Sequence, residues 1–146
     1  MTPIYAIGLL NQETKEEKLS WRTKGSENDV ESRYVADTNR ADPGHESVWR
    51  AVPNVHMELW KVVYRGISQV TLELSSEDLG TISILQPTPT GMFGKKYTSD
   101  DVRDLAELME TFYKLVAAQC AARRRKEAAT EEERTQKMFR RLAGFK

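Results

Sequence analysis

Residues 55–85 read VHMELWKVVYRGISQVTLELSSEDLGTISIL. Three apolar runs, at 55–64, 67–74 and 81–85, are joined by links of two and six residues. Such links suit hairpins and are too short for the crossover helix that parallel neighbours need, so a mostly antiparallel sheet is expected. Within the first run His56, Glu58, Trp60, Val62 and Tyr64 fall on one face and Val55, Met57, Leu59, Lys61 and Val63 on the other.

Working outward, residues 48–52 read as a further strand, and Pro87 and Pro89 end the sheet because proline cannot donate to a ladder. The apolar run 4–10 reads as a strand, 11–17 as an exposed turn, and 18–22, with Leu19 and Trp21 alternating inward, as a second strand. Residues 24–46 are rich in turn formers and read as a long loop, with one short helix around 30–35.

The last third is helical. Ser99 before Asp100 and Asp101 is an N-cap signal with negative charge in the first turn. Behind it Val102, Leu105, Met109, Phe112 and Val116 step by three and four, the spacing of an amphipathic helix. Thr130, three residues before Glu133, reads as a capping box that favours a break near 127–130 and two helices, whereas the alanine density favours one helix to about Leu142; the balance leans slightly to a break that can straighten. The fold class expected is α+β: a small, mostly antiparallel sheet of four to six strands packed by a C-terminal amphipathic helix with a basic helical extension. Residues 1–97 form the β-rich domain with its loop 24–46, and residues 98–146 the helical region.

Composition narrows the function classes. The chain has 146 residues, 30% of them charged, with 22 Lys and Arg against 22 Asp and Glu. No apolar run approaches the roughly 20 residues of a membrane span, so no membrane partner is expected. The one cysteine, Cys120, cannot form an internal disulfide, and no Asn-X-Ser/Thr acceptor occurs, which points to a reducing, cytoplasmic setting. The run 4–10 lacks a preceding basic residue and is not expected to act as a signal peptide.

Net neutrality conceals segregation. Residues 99–118 carry two cations against five carboxylates, whereas 119–146 carry nine cations against four. On a helix Arg123, Lys126, Thr130, Arg134, Lys137 and Arg141 form one stripe that suits a phosphate backbone, and Arg124 and Arg125 add to the local charge. Met138, Leu142 and Phe145 form a separate apolar group suited to contact with a partner or another copy of the chain.

Motifs for chemistry are sparse. His45 and His56 share no metal-ligand spacing with Cys120, and no Gly-X-Ser-X-Gly elbow is present, so neither a metal, a cofactor nor a catalytic group is expected. Residues 91–96 resemble part of a phosphate loop but lack its first glycine and its Ser or Thr. Trp21, Trp49 and Trp60 are expected mainly in the core, an exposed Trp49 strengthening a binding role.

The function expected is that of a non-catalytic binding protein, dimeric, whose basic C-terminal helix contacts DNA, RNA or another polyanion, or an acidic protein surface. The competing reading is a protein-interaction module, or a small inhibitor or regulator, that uses loop 24–46 and the apolar helix face.

Overall fold

A computed structural model describes residues 2–24, 33–38, 55–90 and 96–144. The described elements are α1 (Pro3–Lys15), β1 (Arg22–Lys24), β2 (Arg33–Asp37), β3 (His56–Tyr64), β4 (Ile67–Ser76), β5 (Gly80–Leu85) and α2 (Asp100–Ala143). The fold is α+β: one five-stranded sheet in the order β1-β2-β3-β4-β5, every pairing antiparallel, packed by helix.

The β3–β4 hairpin turns on Arg65 and Gly66, both at positive φ, as a two-residue turn matching the twist of its strands requires. Its register places Met57 beside Leu74 and Leu59 beside Leu72, so the inward residues of both strands meet on one face. Met57, Leu59, Val70 and Leu72 are buried there against Met109, Phe112, Val116 and Cys120 of α2. Each large apolar side chain removed from water in this layer contributes roughly 1.5–3 kcal/mol.

The expected strand at 4–10 is instead helix. That run is apolar without alternation, so its period does not separate strand from helix; the deciding signals are the start and the continuation. Thr2 caps the helix by accepting from the Tyr5 amide at 3.4 Å, and Pro3 occupies the first turn, where its missing N–H costs nothing. The helix continues through the residues read as a turn because Ile7, Leu10, Asn11 and Thr14 recur on one buried face. Leu19 and Trp21 do point into the core, but the strand itself begins only at Arg22.

Loop 24–46 also contains structure that composition hid. Residues 33–37 are β2, not helix, because Tyr34 and Ala36 face the core and β2 pairs with β1 on one side and β3 on the other. Trp21 meets Phe112 edge-on at 5.6 Å, and Tyr34 meets Tyr113 at 5.7 Å. The expected strand at 48–52, together with Trp49 and His45, lies outside the described residues.

The C-terminal helix is continuous. Thr130 does not cap a new helix: its hydroxyl donates to the Lys126 carbonyl at 2.9 Å, one turn back, and Thr135 does the same to Glu131. With 44 residues α2 is about 66 Å long. It starts beside Gln86, whose side chain donates to the Ala106 carbonyl and accepts from the Val70 amide. It then passes Lys61 of β3 and Tyr34 of β2, and reaches Ser20 and Trp21 just before β1. It therefore crosses the sheet from the β5 side to the β1 edge.

Candidate functional site

Beyond that edge α2 projects. Every residue from 125 to 144 is exposed, a rod of about 30 Å. What anchors it is Arg123, whose guanidinium donates to the Trp21 carbonyl at 2.8 Å and to the Ser20 hydroxyl at 2.6 Å. Gln119 adds a second clasp, accepting from the Trp21 amide at 3.1 Å. One residue of the sequence-derived stripe is thus occupied in holding the helix to the globule.

Lys126, Arg134, Lys137 and Arg141 remain together on one side of the projecting rod. Lys137 lies 3.9 Å from Glu133, and among the described residues Lys126, Arg134 and Arg141 make no ion pair. A pair that long between exposed side chains contributes little. Arg124 is half-buried and Arg125 exposed, and both point away from the stripe. Met138 and Leu142 are exposed, joined by Phe139, while Phe145 lies outside the described residues.

A second cluster sits on the sheet face opposite the helices. His56 places Nδ1 at 2.9 Å from Asp37 Oδ1 and Nε2 at 3.2 Å from Glu58 Oε1. Glu58, buried at 7% exposure, also accepts from Lys24 at 2.7 Å and from Arg33 at 3.1 Å. Arg33 stacks over the Trp60 ring at 4.3 Å, and Arg22 reaches Asp37 at 3.4 Å. Trp60 thus serves this outer face and not the core.

The electrostatics of the cluster follow from these contacts. The hydrogen bond to Asp37, helped by Glu58, raises His56 above its ordinary 6.5 despite partial burial. The Lys24 ammonium, with His56 and Arg33, holds Glu58 below its ordinary 4.5. Asp37, His56 and Ser75 occupy one row across β2, β3 and β4, the order of a nucleophile relay. In the imidazolium form both ring nitrogens donate to carboxylates, so neither keeps a lone pair for a serine proton, and no hydrogen bond joins Ser75 to His56 among the described residues. The arrangement works as a staple between strands.

Sequence reasoning placed His56, Glu58 and Trp60 on one face but missed Lys24, Arg33 and Asp37, which it left in a loop. The missing signal was the alternation of Arg33, Val35 and Asp37 against Tyr34 and Ala36. Other chemistry stays local. Burial pushes the Cys120 thiol up, and burial beside Tyr34 pushes the Tyr113 hydroxyl up to about 12. No group of three or more His, Cys, Asp or Glu among the described residues is placed to hold a metal ion. Lys96 pairs with Thr90 in an isolated bridge, and residues 91–95 of the phosphate-loop fragment lie outside the described residues. No helix among the described residues is long and apolar enough to cross a membrane. Comparison with protein-family models, with curated proteins and with solved structures finds no match.

Proposed function

We propose that this chain is a non-catalytic binding protein, acting as a homodimer in a cytoplasmic setting, whose projecting helix contacts a polyanion, with nucleic acid as the class that suits it best. The observation that carries the reading is the alignment of Lys126, Arg134, Lys137 and Arg141 on a rod clear of the globule, where among the described residues only Lys137 of the four is ion-paired, although Glu127 and Glu131 line the same hollow as Lys126 and Arg134. Cations repeated along an axis and open to solvent match a line of phosphates, and displaced counterions supply the binding free energy. The single cysteine, buried at 2% exposure, supports the reducing compartment.

The test is binding of single- and double-stranded DNA and RNA measured across salt. Affinity is expected to fall steeply with salt, and replacing the four cations by Gln to lower both affinity and slope, by about one slope unit for each phosphate no longer neutralised. Salt-independent binding, or none to any of the four nucleic acids, overturns the reading.

A second reading rests on a different observation: Met138, Phe139 and Leu142 are each about 60% exposed on the same rod. An apolar cluster at a helix end suits a protein partner's groove, as expected of an interaction module, inhibitor or regulator. Binding that depends on these three residues and responds weakly to salt would favour it. Its other proposed surface, loop 24–46, is reduced by β2, whose Tyr34 and Ala36 are committed to the core.

A further inference from the structure

The apolar end of the projecting rod and a groove at the far end of the same helix are complementary. The groove, of about 570 Å³, lies beside the start of α2 and combines the apolar Ile67, Pro87, Pro89 and Tyr97 with a rim of Glu107 and Glu110. The rod's end carries Phe139 at 64% and Leu142 at 64% exposure, flanked by Arg140 and Arg141. Glu110 is engaged by Lys61 and Gln86, which leaves apolar surface bordered by Glu107 at one end and apolar side chains flanked by base at the other.

From this complementarity we infer that the occupant of the groove is the α2 tip of a second copy of this chain, the two α2 helices lying side by side and antiparallel. The inference deepens the homodimer of the proposed function and rests on that reading. Along one side of α2, Glu107, Lys114, Ala121 and Ala128 recur every seven residues, and Thr111, Ala118, Arg125, Glu132 and Phe139, offset by four, repeat the interval. A seven-residue interval keeps these residues on one side of the helix along its length.

Charge fixes the register. With the two-fold axis at the level of Arg123, residues equally far from it along the chain face each other. Lys114 then meets the partner's Glu132, Ala118 meets the partner's Ala128, and Phe139 arrives beside the partner's Glu107, at the groove, with Arg140 near Asp104. Ala118 and Ala128 let the helices approach closely on either side of the axis, Ala121 faces the partner's Arg125 between them, and unlike charges meet further out. A parallel pairing would instead set acidic half against acidic half. The seam lies roughly half a turn round the helix from Lys126, Arg134, Lys137 and Arg141, so the dimer leaves both basic stripes open.

Sedimentation equilibrium of the full chain at tens of micromolar tests the inference. A dimer is expected, with Lys114→Glu and Glu132→Lys each weakening association roughly tenfold and the double reversal restoring it. Phe139→Asp is expected to weaken it at least as much, with an unchanged circular dichroism spectrum showing that the fold persists. A monomer, or a dimer that neither charge reversal weakens, overturns the inference. The salt-dependent binding assay reads the basic stripe separately: a monomer that still binds nucleic acid sinks the pairing alone, and a dimer that binds none sinks the proposed function alone.

Discussion

The Arg123 guanidinium donates to the backbone carbonyl of Trp21 at 2.8 Å and fixes the point at which α2 leaves the sheet. The same group holds the Ser20 hydroxyl, so its loss frees two acceptors on the segment leading into β1. Hydrogen bonds from a charged donor are each worth about 1.5–3 kcal/mol. Arg123→Ala is therefore expected to destabilise the fold by roughly 2–3 kcal/mol, read as a lower denaturant midpoint. Lys126→Ala, one turn away and exposed, is expected to change stability by less than about 0.5 kcal/mol. Equal effects for the two variants would contradict the anchoring role.

The staple of Asp37, His56 and Glu58 makes stability depend on pH in a defined window. His56 is raised in the folded state, so its contribution is complete below its ordinary 6.5 and is lost as pH rises through the folded value. Glu58 is lowered, so its contribution is complete above its ordinary 4.5 and is lost as pH falls through the folded value. The network is strongest between about 4.5 and 6.5. His56 is 39% exposed at its side chain, which limits its share to well under about 1 kcal/mol. Melting profiles from pH 4 to 9 are expected to show wild type losing stability relative to His56→Asn as pH rises above this window; parallel profiles would count against the staple.

How far the sequence carried the fold depended on periodicity. The β3–β4–β5 meander was legible because alternation and two short links left few arrangements, and α2 was legible from Ser99 and its three-four spacing. The run 4–10 was not, because a segment apolar all round satisfies either geometry, and Thr2-Pro3 was the available arbiter. β2 was not, because its partners in β1 and β3 are distant in sequence and only five residues alternate. The same pairing defines the outer charge cluster, so the cluster vanished with the strand. Among the proposed contact residues, only tertiary structure separates Arg123, bound to Trp21 and Ser20, from Lys126 and Arg134 on the free rod.

The junction between α1 and the core rests on one hydroxyl with two duties. Thr14 Oγ1 accepts from the Trp21 indole at 3.0 Å and donates to the Leu10 carbonyl at 2.8 Å, all of it buried. Thr14→Val preserves shape but leaves the indole N–H without its partner, a cost of about 1–3 kcal/mol. Trp21→Phe removes the donor as well, leaving the Phe112 edge contact in smaller form. Thr14→Val is expected to lower the denaturant midpoint and to add little once Trp21 is Phe. Full additivity in that double-mutant cycle would show that the two side chains act independently.

The continuity of α2 through 127–130 is what joins the globule to the exposed rod, and it is separable from the fold. Proline in a helix interior removes one hydrogen bond and clashes with the preceding turn, costing about 3 kcal/mol locally. Glu131 lies in the exposed stretch, where no core contact depends on it. Glu131→Pro is expected to reduce the helical circular dichroism signal and to weaken nucleic-acid binding markedly, because Lys126 no longer shares an axis with Arg134, Lys137 and Arg141. The melting temperature of the globule is expected to stay within a few degrees of wild type. A variant that loses the helical signal yet binds with unchanged affinity and salt slope would mean that the cations act as a loose charged segment and that the rod's straightness is irrelevant.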